Sequence, residues 1–570
     1  MSAGTFTVAG AGALGAGTPN NYTAGITNNA TLVYASSADQ TLSGVITGTG
    51  ALTKNNSNSS TLTLSATNDF TGATLISNGT VKISNSAALG NSSAGTTVDA
   101  GATLDVAGTG TLSSAEPLTI NGTTATNGAV YFSETATLTG TVALGSATKI
   151  NVASSKTGEM SGVISGANAL TKADSGTLKL SSANTYTGAT TISAGTLNAT
   201  NNKALGDNDT TRSDTTVANG ATLLVSGGLN GLTDPIFLNG PGVGNNGSLL
   251  VQGTNTLSGL VTLSTSSEIG ADSGATLTLA GGVSGSNVDV TFDGAGNILA
   301  SGAISLGTGG VTKQGAGVTT LSSASNSYSG ATTITLGELK LSGSGSIPDT
   351  SAVSVTGTFN MDSVSDTVGS ITGAGTISLG SATLTSGSAG TTSFSGAITG
   401  TGNIIKTGSA TTLTLSGTNT YSGTTTIAAD GGNLTVSGTL GTSSSYAGNV
   451  VIASSTSTFT FSNAASGTTQ TLSGVISGDG IVAKSGASTL KLSGSSDNTY
   501  TGATNVTAGV LSVAKNVALG TTAGSTAVSE TGAVHFDGSG LSISEPFTIA
   551  ASGSGTGALL NLANSNTVTG

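Results

Sequence analysis

Asn184-Thr185-Tyr186-Thr187-Gly188 recurs as Asn68-Asp69-Phe70-Thr71-Gly72, Asn326-Ser327-Tyr328-Ser329-Gly330, Asn419-Thr420-Tyr421-Ser422-Gly423 and Asn498-Thr499-Tyr500-Thr501-Gly502. Upstream of each copy stands Ser-Gly-(Val/Ala)-Ile, beginning at Ser43, Ser161, Ser301, Ser395 and Ser473. Ten or eleven residues past the glycine of that element comes a lysine: Lys54, Lys172, Lys313, Lys406 and Lys484. Self-similarity of this kind is the signature of a repeat architecture, in which neighbouring units stack to bury a shared core.

Working outward, Thr61-Leu62-Thr63-Leu64, Ala73-Thr74-Leu75-Ile76 and Thr80-Val81-Lys82-Ile83 alternate with period two, as half-buried strands do. Gly, Asn and Ser, the residues that accept turn geometry, separate them. No apolar stripe of helical period has useful length, so almost no helix is expected. Equivalent apolar positions, Leu62 and Val81, Leu178 and Leu197, Leu490 and Leu511, are 19 to 21 residues apart. The expected fold is therefore all-β, a parallel β-helix with about 20 residues per rung. Roughly 28 rungs at a strand spacing of ~4.8 Å would make a rod roughly 130 Å long.

The reading of the domains is one continuous solenoid. Residues 1–39 form degenerate N-terminal rungs. Residues 40–570 hold five repeat units, at about 40–90, 158–206, 299–343, 393–440 and 470–520, with spacer rungs between them. A second module joins some units: Glu116-Pro117, Asp234-Pro235 and Glu545-Pro546, each followed about twenty residues later by Ala136-Thr137-Leu138-Thr139-Gly140, Asn255-Thr256-Leu257-Ser258-Gly259 or Asn566-Thr567-Val568-Thr569-Gly570. The middle copy runs on into Leu260-Val261-Thr262-Leu263. The chain is accordingly expected to be cut from a longer protein at its C-terminus.

Composition excludes several classes. Of 570 residues 89 are Gly, but only 6 are Pro, and aliphatic strands are too frequent for a flexible linker. Charged residues make up 7% and the net charge is −12, which disfavours a nucleic-acid partner. Cysteine is absent, so no disulfide or thiolate metal site forms. No stretch approaches the ~20 apolar residues of a membrane-spanning helix, and Met1-Ser2-Ala3-Gly4 does not open a signal peptide.

The recurring residues have structural readings. Gly72, Gly188, Gly330, Gly423 and Gly502 suit positive φ or close backbone approach. Asn68, Asn184, Asn326, Asn419 and Asn498 suit the left-handed region or a side-chain ladder between rungs. Phe70, Tyr186, Tyr328, Tyr421 and Tyr500 fill a corner of the coil. The five lysines are expected to lay their stems on apolar surface and keep their ammonium groups in water. No catalytic, cofactor-binding or metal-binding residue is assigned. His535, the single histidine, reads as a strand residue on a wet face beside Asp537. Glu116, Glu134 and Glu159 show no spacing that would mark a glycosidase pair. Asp207-Asn208-Asp209 and Asp214 cluster about Arg212 without a calcium-loop pattern, and read as a solvated loop.

The run from Ser161 to Leu197, Ser-Gly-Val-Ile-Ser-Gly, Leu-Thr-Lys, Gly-Thr-Leu-Lys-Leu-Ser, Asn-Thr-Tyr-Thr-Gly-Ala-Thr-Thr-Ile and Ala-Gly-Thr-Leu, resembles the autotransporter-associated β-strand repeat, also called the passenger-associated transport repeat. The third unit departs from it at Val311-Thr312-Lys313 and Leu336-Gly337-Glu338. The resemblance implies a right-handed parallel β-helix. It also implies a non-enzymatic passenger or stalk of a bacterial surface or secreted protein, an adhesin or autoaggregation scaffold exported by type V secretion. An outer-membrane anchor would lie beyond this sequence. The partners implied are host or cell-surface glycans or proteins, or the chain itself, and no cofactor. Alternative readings are a polysaccharide-processing β-helix enzyme, which needs a charged groove, and an ice-binding or fibril-forming solenoid, which needs a regular array or stackable ends.

Overall fold

In Thr61–Leu64 the burial alternates, with Leu62 and Leu64 inside and both threonines half-exposed. The same alternation runs through Thr80–Ile83, Thr177–Leu180, Thr412–Leu415 and Thr489–Leu492. Period-two chemistry fixes which face of each strand turns inward, and the next strand repeats it one turn later, so the buried aliphatics stack. The computed structural model describes all residues except 16–19, 56–59, 109, 208–213, 388, 552–556 and 564. It divides into two units, 1–298 and 299–570. Both are parallel β-solenoids, about 24 turns in all, with turns about 22 residues apart and 1% helix. Among the described residues the one helical element is a 3₁₀ turn, Val243–Asn245.

The rung size is close to expectation, and the difference has a local origin. Leu62 pairs with Val81, Leu178 with Leu197 and Leu490 with Leu511, as the sequence spacing implied. Turns between repeats are longer: Leu104 pairs with Val130, Leu223 with Leu249 and Leu434 with Phe459. The extra residues sit in corners, where Gly, Asn and Ser admit added loop without disturbing the strands. Longer spacer turns mean fewer of them, hence about 24 in place of roughly 28.

The repeats do not stack in one column. In the first unit Ala51–Lys54 belongs to a ladder that continues through Thr74–Ile76, Thr96–Val98, Leu118–Gly122 and the start of Val142–Val152. The equivalent strand of the second repeat, Leu170–Ala173, joins a different ladder, through the end of Val142–Val152 to Val130–Phe132 and Thr103–Val106. In the second unit Val311–Lys313 and Ile481–Lys484 share a ladder, whereas Asn403–Lys406 lies in another. Spacers that are not whole numbers of turns rotate successive repeats around the coil.

Candidate functional site

The recurring residues converge at a buried corner. Asn184 is fully enclosed, and its amide spans three successive turns. Its Oδ1 accepts the Ile164 N–H at 2.8 Å, and its Nδ2 donates to the Ala204 carbonyl at 2.7 Å. Asn68 links Ile46 N–H (2.8 Å) to Ala88 O (2.6 Å), and Asn498 links Ile476 N–H (2.9 Å) to Ala518 O (2.6 Å). Asn326 joins Ile304 to Ser346, and Asn419 joins Ile398 to Thr439. The isoleucine served is always that of the upstream Ser-Gly-(Val/Ala)-Ile element. The two motifs recur together because one satisfies the backbone of the other. None of these five asparagines has positive φ, and they form no Asn–Asn ladder. A buried N–H and a buried C=O, one turn to either side, claim the amide first.

Two residues on, the aromatic ring fills the corner. Tyr186, Tyr421 and Tyr500 are fully buried and Tyr328 nearly so. Each hydroxyl meets a threonine four residues later: Thr190 at 2.7 Å, Thr332 at 2.9 Å, Thr425 at 2.7 Å and Thr504 at 2.7 Å. Phe70 takes the same place in the first repeat, and there the Thr74 hydroxyl has no hydrogen-bond partner. Desolvation raises the pKa of every buried tyrosine, so each stays a neutral donor. The glycine that follows is required by close approach and not by positive φ. A Cβ on Gly188 would lie 2.2 Å from the Asn168 carbonyl carbon, and one on Gly502 would lie 2.2 Å from Gly480 O.

The lysines overturn the expectation of a wet head. Lys54, Lys172, Lys406 and Lys484 are fully buried and Lys313 is 2% exposed. Lys172 Nζ donates to the carbonyls of Ala173 (2.8 Å), Asp174 (2.6 Å) and Ala194 (3.1 Å), and Lys484 Nζ to those of Ser485 (2.9 Å), Gly486 (2.7 Å) and Ala508 (3.1 Å). Lys406 reaches Thr407, Gly408 and Gly431, Lys313 reaches Gly315 and Leu336, and Lys54 reaches Asn78. In the second to fifth repeats the turn after the lysine strand leaves carbonyls pointing inward, and the three ammonium protons match them. Burial pushes Lys172, Lys406 and Lys484 down to about 8, with Asp174 and Asp430 pulling the first two back up. They therefore remain mostly charged at neutral pH.

Other candidates are brought together in unproductive ways. Ser512 sits beside His535 in register, but its hydroxyl donates to Asp537 Oδ2 at 3.2 Å. Asp537 is paired with Lys491 at 2.7 Å. His535 is half-buried rather than wet, its Nε2 is enclosed without a partner, and burial lowers its pKa. Nucleophilic catalysis needs the hydroxyl on the imidazole, and here it is on the carboxylate. Glu134 and Glu159 are ion-paired with Lys156 (2.5 Å) and Lys179 (3.2 Å). Glu116 is buried, accepts the Thr96 hydroxyl at 2.9 Å, and is pushed up by burial to about 7. Asp207 pairs with Lys203, while Asn208, Asp209 and Arg212 lie outside the described residues. Among the described residues no group of three His, Cys, Asp or Glu could hold a metal ion.

Sequence reading missed one signal. Asn255, Gln470 and Asp366 also accept a backbone N–H one turn back, from Leu229, Leu440 and Ile347. Each opens a (Asn/Gln/Asp)-Thr-(Leu/Val) triplet closed by a glycine, so the second module and the repeat use the same bridging corner.

The sequence matches the passenger-associated-transport-repeat family at residues 52–83, 170–199, 311–341, 404–436 and 482–513. Each matched segment holds one buried lysine, and four of the five also hold a corner tyrosine bonded to its threonine. The first holds Phe70 and Thr74. The chain is also 38% identical over 126 residues to the adhesin BmaC autotransporter of Brucella suis biovar 1 (strain 1330). That alignment covers 22% of this chain and 3% of the relative's length.

Proposed function

We propose that this chain, which carries five passenger-associated transport repeats, is a non-enzymatic extracellular passenger solenoid. It serves a bacterial surface or secreted protein as an adhesin or autoaggregation scaffold, is exported by type V secretion, and is held at the outer membrane through a segment outside this sequence. One observation carries the reading: in each matched repeat the recurring polar residues face the interior, bonded to the coil's own backbone. Residues that recur in order to build turns leave binding to the outer faces of the turns, as a displayed stalk requires. The name of the adhesin relative supports the same reading.

The outer surface bears on partner chemistry. Lys82, Lys156, Lys179, Lys203, Lys340 and Lys491 each pair with a carboxylate. With six further lysines buried and a net charge of −12, the surface favours neutral or cationic partners, such as uncharged glycans, proteins or a second copy, over polyanions.

The test is display. The chain is expressed in a Gram-negative host between a secretory leader and an autotransporter β-barrel. Antibody should label intact cells, external protease should remove the label, and the cells should aggregate or adhere more than cells carrying the barrel alone. Retention and degradation in the periplasm would overturn the export reading. Efficient display without any gain in adhesion or aggregation would overturn the adhesin reading.

A further inference from the structure

The polar groups of each repeat are completed only by a neighbouring turn. Lys172 needs the Ala194 carbonyl, which comes from the next turn. Asn184 needs the Ile164 N–H from the turn before and the Ala204 carbonyl from the turn after. The fifth repeat repeats the arrangement with Lys484 on Ala508 and Asn498 between Ile476 and Ala518. In a solenoid with a purely apolar interior, turns could detach one at a time, because stability is nearly a sum over turns and nearest-neighbour interfaces. A buried ammonium or amide stripped of its partners makes single-turn detachment costly. Spacer turns have bridging side chains such as Asn255 and Asp366. The lysine that reaches a carbonyl of the next turn recurs in all five repeats, and the sixth buried lysine, Lys515, adds a bond to the Ser496 carbonyl and one to Asn498 Oδ1 beside the fifth.

We infer that each repeat opens and closes as one latched block of two turns, with the buried lysine as its bolt. The coil then yields first in the spacers. In the second repeat the block runs from Ile164 to Ala204, and removing either end leaves Asn184 half-bonded inside the core. Lys172 adds a charge-assisted closure on the same span, so neither turn leaves alone.

Pulling the full chain by its ends in a single-molecule experiment tests this directly. One turn should release roughly 75 Å of contour length and a latched block roughly 150 Å. The wild type should show five long rips among single-turn ones. Lys172→Met keeps the apolar stem but cannot donate, and should reduce the long rips to four. Lys172→Ala should do the same, and added methylammonium, which carries the missing cation, should restore the fifth. Uniform single-turn peeling of the wild type would overturn the inference, and so would five long rips in Lys172→Met. Failure of methylammonium to restore the lost rip would remove the cage from its role as bolt.

Discussion

At the scale of the residue, the corner shows what one atom decides. Phe70 lacks the hydroxyl that its four counterparts give to threonine, and Thr74 Oγ1 is left without a partner. Phe70→Tyr should therefore stabilise the first repeat by roughly 1 kcal/mol, the net worth of a hydrogen bond. Tyr186→Phe should destabilise the second by roughly 1–3 kcal/mol, because the Thr190 hydroxyl loses its 2.7 Å partner in the core. Tyr186→Ala adds a cavity and should cost roughly 3–5 kcal/mol. Urea-induced opening followed by local hydrogen exchange ranks the three; equal effects of Phe70→Tyr and Tyr186→Phe would contradict the account. The aromatic corner was legible in the sequence because large apolar side chains between turn residues have few other destinations. The lysine was not. A lone cation after apolar residues reads as an amphipathic surface group, and only the path of the backbone reveals three carbonyls aimed inward.

Among elements, strand register was the most readable feature: Leu62–Val81 and Leu178–Leu197 pair as their spacing implied. The Asn-to-Ile link was written in the sequence too, as two motifs about 20 residues apart, but its meaning depends on a turn length known only once the coil is built. Asn184→Leu should leave the Ile164 N–H and the Ala204 carbonyl unpaired and raise exchange on both neighbouring turns, with the 40–90 repeat unchanged. A change confined to residue 184 would refute the three-turn bridge. Buried carboxyls give the turns a pH dependence. Burial pushes Glu116, Asp234 and Glu268 up to about 7 and Asp366 to about 6. Their stabilising contribution is full below the unfolded carboxyl value of about 4 and is lost as pH rises through the folded values. Asp537, held down by Lys491, acts in the opposite sense. Calorimetry should find a higher melting temperature at pH 5 than at pH 7.5, with a smaller difference in Glu116→Gln. A melting temperature that rises over that range would reverse the assignment.

For the whole molecule, the class of fold was legible and the placement of the repeats was not. Lysine spacings of 118, 141, 93 and 78 residues look merely irregular. Within each unit they move repeats between ladders, so the repeats' lysine strands do not line up on one face. That geometry supports the scaffold reading over an ice-binding surface. The same reading expects no hydrolytic chemistry at His535, and His535→Ala should leave any glycan- or ester-cleaving rate at background. A reproducible activity lost in that variant would restore the enzyme reading. The central claim is that the recurring Asn, aromatic and Lys residues build the interior of the coil and do not meet a ligand. Hydrogen exchange of the full chain tests it most directly, at the amides of Ile46, Ile164, Ile304, Ile398 and Ile476 that donate to an asparagine side chain. All five should exchange as slowly as the central strands, and adding adhesion targets should not slow them further. Exchange at loop-like rates, with protection gained only on ligand binding, would place these corners at the surface and contradict the account.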